Sequence, residues 1–173
     1  IQRFPTTICL KCEQKFSPVQ NEQSDHRSLF HYNEAMKDYL HSYKFMYDVV
    51  LAKVFQKQIH DVMKHEQRIV VPIPMHPQKL VERTFSHIDE LLIAAKIPYK
   101  HLLEKTTTDT QGKKSREERL NTSQLFRTIE KIGPKNFVLF DDIYTTGTTI
   151  DHAKKALLEA GAKNVTSITL IRG

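Results

Sequence analysis

The sequence predicts an α/β fold in which a mainly parallel central sheet is flanked by helices. Two apolar runs, Ile69 to Pro74 and Phe137 to Phe140, and one alternating segment, Asn164 to Ile171, read as strands. The segments between and before them carry apolar residues at spacings of three and four, which is the helical period. Strands separated by helices need crossover connections, and those join parallel neighbours with a right-handed turn. The 173 residues suffice for one such domain, residues 25–173, and a short appendage, residues 1–24.

The appendage is polar and lacks periodicity, with Pro5, Pro18 and the run Gln20-Asn21-Glu22-Gln23-Ser24. The chain starts without Met and without the pattern of a signal peptide, so its start reads as cut or processed upstream. From Tyr32 to Lys64 the spacing of Tyr39, Tyr43, Met46, Val50, Phe55, Ile59 and Met63 predicts one or two amphipathic helices, with Tyr43-Lys44-Phe45 as the place for a break. The β-branched strand that follows opens into a rigid loop, Pro74 to Pro77, because alternating prolines cannot continue a ladder. Lys79 to Ala95 then reads as one helix with Leu80, Phe85, Ile88, Leu91, Leu92 and Ala95 on one side, stopped by Pro98. Residues 106–119 contain no apolar side chain and are expected to form an exposed loop leading into a short helix around Ser115 to Leu120. Gly133-Pro134 marks a turn, and Thr149 to Ala160 a helix ended by Gly161.

Composition narrows the function classes. No apolar run approaches the roughly 18 residues that span a bilayer. The two cysteines sit in one Cys9-Leu10-Lys11-Cys12 cluster, which is no disulfide framework and points to a reducing compartment, the cytoplasm. The surplus of 26 Lys and Arg over 20 Asp and Glu suits polyanionic or phosphate-rich partners, although a solvated surface produces the same surplus.

The most informative stretch is Phe137-Val138-Leu139-Phe140-Asp141-Asp142-Ile143-Tyr144-Thr145-Thr146-Gly147-Thr148-Thr149. An apolar strand delivers two carboxylates at its C-terminal end, and a loop of four threonines and one glycine opens a helix. Successive backbone N–H groups, the positive end of that helix and the hydroxyls suit a phosphate on Thr145, Thr146, Gly147, Thr148 and Thr149. Paired acids would repel a bare phosphate, so the ligand must present something neutral or cationic to them. A ribose 5-phosphate unit does so, since its 2′ and 3′ hydroxyls donate to carboxylates; Mg²⁺ bound to those hydroxyls is also compatible. Capped turns after a strand would account for lone aspartates, but not for this whole run. Neither a P-loop nor a G-x-G-x-x-G motif is present, which argues against a P-loop kinase or a Rossmann dehydrogenase.

This run resembles the phosphoribosyl pyrophosphate (PRPP) motif of type I phosphoribosyltransferases. From Cys9 onward the chain is similar to the ComF family of competence proteins: Tyr43-Lys44-Phe45 with Asp48 and Leu51-Ala52, Val71-Pro72-Ile73-Pro74 with His76-Pro77, Arg83 with Phe85, Thr110-Gln111, Arg116, Arg119 and Asn121, and Gly161-Ala162-Lys163. The resemblance implies a type I phosphoribosyltransferase fold with PRPP as ligand. Asp141 and Asp142 would hold the ribose and stabilise positive charge near C1, and residues 145–149 would anchor the 5′-phosphate. Lys79 and Arg83, with Mg²⁺, would stabilise the leaving pyrophosphate. Lys113, Lys114 and Arg116 would close over it. The family pattern Arg-Gly-Phe-Asn-Gln is here Arg83-Thr84-Phe85-Ser86-His87, and the lost glycine makes an unusual backbone conformation harder to adopt.

Relatives also imply a zinc-ribbon-like element. Cys9 and Cys12 supply two of the four ligands a structural Zn²⁺ needs; the other pair would lie upstream, or His26 or His31 would substitute. Three functions stay open: transfer of phosphoribose to an acceptor during natural competence, a PRPP-sensing module that holds single-stranded DNA and contacts competence-machinery proteins, and nucleotide salvage. The acceptor-reading hood would fall in residues 24–64.

Overall fold

The computed structural model describes residues 4–20, 25–106 and 125–173. Along the chain run α1 (Leu10–Glu13), β1 (His26–His31), α2 (Glu34–Phe45), a 3-10 helix (Val49–Phe55), α3 (Gln56–Met63), β2 (Ile69–Pro72), α4 (Pro77–Arg83) and α5 (His87–Ala94). They are followed by β3 (Leu103–Lys105), β4 (Phe126–Thr128), β5 (Asn136–Tyr144), α6 (Thr148–Glu159) and β6 (Asn164–Arg172). The expected loop and helix at 106–119, with Lys113, Lys114 and Arg116, lie beyond Thr106 and outside the described residues.

Strands β1, β6, β5 and β2, in that spatial order, form one parallel sheet, while β3 and β4 make a separate antiparallel ribbon. The parallel sheet between helices is as the sequence predicts. Along β5, Val138 and Phe140 join a core with Tyr39, Tyr43, Phe55, Ile59, Leu91 and Leu92, from α2, the 3-10 helix, α3 and α5. Phe137 and Leu139 pack instead with Ile150, Ala153 and Leu157 of α6 and with Leu103 and Phe126 of the ribbon. Covering both faces is why this strand is a continuous apolar run rather than an alternating one.

Four expectations change, besides the helix break, which falls after Phe45 and not within Tyr43-Lys44-Phe45. Strand β1 falls in a region read as hood, and it is polar in composition because its buried His26 and Ser28 satisfy one another. The His26 ring nitrogens lie 2.8 Å from Ser167 Oγ and 2.9 Å from Ser28 Oγ, and Ser28 Oγ lies 2.8 Å from Thr169 Oγ1. Burial lowers the His26 pKa to about 4, and its ring stacks on Tyr144 at 3.9 Å between centroids. The appendage is also less detached than its composition suggests. It contains α1, Pro18 bridges to Phe30, and Phe16 packs edge-on against Phe55.

The third change concerns residues 79–95, which form two helices. Pro77 starts α4 at a position where a missing N–H is harmless. Thr84 then adopts a left-handed conformation, φ 63°, and Ser86 caps α5 by accepting the Asp89 N–H at 3.3 Å. Thr84 occupies the place of the family glycine, and the backbone keeps the glycine-like turn regardless. A β-branched residue is strained there, while glycine loses more entropy on folding. Thr84→Gly is therefore expected to raise unfolding free energy by about 0.5–1 kcal/mol in urea titration. The fourth change is that β5 does not stop at Phe140: it continues through both aspartates to Tyr144.

Candidate functional site

Because β5 runs through Asp141 and Asp142, its two-residue alternation sends them to opposite faces of the sheet. Asp142 follows Phe140 toward α2 and α5; Asp141 follows Leu139 toward the face covered by α6. Both are buried, with 3% and 9% of their surface exposed. The arrangement thus differs from a pair of acids gripping one diol side by side.

Asp142 Oδ2 meets the Lys44 ammonium from the end of α2, and His87 Nε2 from the start of α5 lies 3.1 Å from the same oxygen. Arg83 Nη1 stands 3.1 Å from His87 Nδ1. A guanidinium can only donate, so Nδ1 must accept, and the imidazole proton sits on Nε2, facing Asp142. The histidine is held neutral: burial lowers its pKa, and the Lys44 and Arg83 cations add to that against the pull of Asp142. The Tyr43 hydroxyl fixes the same helix start by donating to the His87 carbonyl at 2.6 Å.

Burial by itself would raise the Asp142 pKa. The Lys44 charge and the His87 contact outweigh it, so the carboxyl is held well below the usual range and is ionised. Asp141 is shifted upward instead, by burial and then by the negative charge next door, while its Oδ1 accepts the Asp142 N–H at 2.9 Å. One acid is charged and the other favours the neutral form. Asp142 Oδ2 is shielded from solvent, and among the described residues no donor meets it with ordinary hydrogen-bond geometry.

Beyond Tyr144 the turn is built as expected. Thr145, Thr146, Thr148 and Thr149 are exposed, and Gly147 is buried at φ 83° at the N-cap of α6, where no side chain caps the helix. Four exposed threonines thus surround a helix start whose N-cap glycine offers no side chain to its first-turn N–H groups, with Thr146 Oγ1 3.5 Å from the Thr148 N–H nitrogen. Thr146 Oγ1 and Thr148 Oγ1 lie 2.9 Å apart, which shapes the rim.

The nominated cations divide. Lys79 is exposed on α4. Arg83 is buried: its guanidinium serves His87 and sits 5.6 Å from the Phe45 ring centre, so it positions Asp142 through His87 instead of standing open for a pyrophosphate. Lys44 and His87 were quoted in the resemblance without a role; only the packing of α2 and α5 over β5 gives them one. A basic residue beside the core position Tyr43 was the available signal.

Cys9 and Cys12 are exposed thiols flanking the start of α1, and no group of three or more metal-ligating side chains occurs among the described residues. His26 cannot complete the set, since both its ring nitrogens are engaged by serines. No described helix is long and apolar enough to cross a membrane.

Comparison with known proteins places the chain in a family. Residues 49–173 match the phosphoribosyl transferase domain. Competence protein ComFC of Streptococcus pneumoniae is 42% identical over 149 residues, covering 85% of this chain and 68% of that protein. Competence protein ComFC of Bacillus subtilis is 32% identical over 173 residues, covering 95% of this chain and 72% of that one. Among solved structures, a glutamine PRPP amidotransferase from B. subtilis overlays with a TM-score of 0.48 at 23% identity, over 70% of this chain and 26% of that one. With a domain match over residues 49–173, which takes in β2 to β6, Asp142 and the threonine turn, and with two relatives alike over most of their length, the chain belongs to the phosphoribosyltransferase domain family and, within it, to the ComFC competence proteins.

Proposed function

We propose that the protein binds PRPP at the C-terminal end of β5 and acts with it during natural competence, in the cytoplasm. The observation that carries this reading is the pairing of an ionised, hydrogen-bond-poor Asp142 Oδ2 with an uncapped helix start ringed by exposed threonines. A 5′-phosphate would take the N–H groups and hydroxyls of Thr145 to Thr149, and a ribose hydroxyl would supply the straight hydrogen bond that Asp142 lacks. Asp141, favouring the neutral form and accepting the Asp142 N–H, would keep that acid in place.

Phosphoribosyl transfer breaks the C1–oxygen bond, with the electron pair leaving on pyrophosphate and positive charge developing on the ribose. The Asp142 carboxylate, close to that charge, would stabilise it. Mg²⁺ would neutralise the departing pyrophosphate. The described acids fit a Mg²⁺ carried on the ligand better than one caged by protein, because Asp142 is already paired with Lys44 and the Asp141 pKa is raised. A second reading, sensing without turnover, draws support from that same ion pair, which has to open before the acid is used. For single-stranded DNA, exposed Phe45 and Tyr47 offer stacking faces.

Calorimetric titration with PRPP and Mg²⁺, run beside a pyrophosphate-release assay, tests the proposal. Binding is expected, and Asp142→Asn should weaken it roughly 10–100-fold, the worth of a hydrogen bond to a charged acceptor. Release of pyrophosphate with an acceptor panel supports the enzyme; tight binding without release supports the sensor. No binding at about 1 mM PRPP, a threshold of only about 4 kcal/mol, would sink both.

A further inference from the structure

We propose that Lys44 is the residue by which the site tells PRPP from sugar phosphates that lack a pyrophosphate; this rests on the PRPP reading above. The Lys44 side chain is only 15% exposed, and its ammonium sits on the acid to which a ribose hydroxyl must donate. A hydroxyl can take that oxygen fully only as the ammonium gives way. A displaced, largely buried cation needs a new anion, because leaving it unpaired opposes binding strongly.

PRPP brings that anion with it. Its pyrophosphate is attached to C1, next to the C2 hydroxyl, so a flexible four-carbon stem at Asp142 lies near both groups. Ribose 5-phosphate brings the hydroxyls and the 5′-phosphate but nothing at C1 to receive the ammonium. Arg83 does not substitute for Lys44, since His87 and Phe45 occupy it. His87 stays with Asp142 in either state and keeps the acid oriented. The lysine exchanges one partner for another, and only a pyrophosphate-bearing ligand makes the exchange even.

The test is a two-by-two comparison by calorimetry: parent and Lys44→Met, each titrated with PRPP and with ribose 5-phosphate in Mg²⁺. The preference for PRPP is expected to fall at least tenfold in Lys44→Met, and Lys44→Arg, which keeps the charge, is expected to hold it within about threefold. A merely structural lysine would weaken both ligands by the same factor, and an unchanged ratio overturns the proposal while leaving PRPP binding intact. A parent protein that binds neither ligand overturns the underlying reading as well. Should Lys44→Met not fold, a crystal of the parent soaked with PRPP decides: Lys44 Nζ on a pyrophosphate oxygen supports the exchange, and Nζ still on Asp142 refutes it.

Discussion

Asp142→Ala is expected to lower the unfolding free energy by about 3–5 kcal/mol, the range for removing one partner of a buried ion pair. The loss has a specific source. Lys44 remains largely buried at the end of α2 with no anion beside it, and His87 Nε2 loses the carboxylate 3.1 Å away. Against a total stability of roughly 5–15 kcal/mol for a domain this size, such a loss is visible as a large drop in the urea midpoint. Replacing both charges, Lys44→Met with Asp142→Leu, should recover most of it, because two apolar side chains in that space leave no charge stranded. A single-variant loss under about 1 kcal/mol would mean that the network opens to water rather than being held dry.

The second large effect is expected at Gly147. Alanine there is estimated to cost about 3 kcal/mol, from a left-handed backbone and a collision. At φ 83° a side chain is strained, and a Cβ would stand 2.5 Å from Tyr144 Oη and 2.9 Å from its Cζ. A tyrosine on a free surface could swing aside. This one is stacked on His26, itself tied to two serines, so moving it disturbs the β1–β6 seam. Thermal unfolding and PRPP titration should both register Gly147→Ala, while Gly133→Ala, with open space at its Cβ, should leave PRPP affinity unchanged.

Much of the site could be read from residue order because it is local. The strand, Asp142, the threonine turn and the helix after it are contiguous, so their order is visible without any distant partner. What the chain did not disclose is nonlocal. Strand β1 looks too polar for a sheet until Ser167 and Thr169, far along the chain, supply its hydrogen bonds. The helix break at Thr84 was hidden by continuous apolar spacing on both sides of Ser86, whose capping role shows only in its bond to Asp89. Lys44 and His87 carry no role in the sequence; the packing of α2 and α5 turns them onto Asp142. The two acids were read as a pair because the strand was ended too early, and four more residues of ladder separate them.

The seam between β1 and β6 also dictates an order of assembly. His26 lies beside Ser167, so β1 leaves a ribosome well before the strand it pairs with. Until then its open edge, with unclaimed backbone donors and acceptors, is a place for another nascent chain to add on. Translation speed between β1 and β6, or a chaperone holding residues 25–31, would thus govern yield without touching the finished molecule.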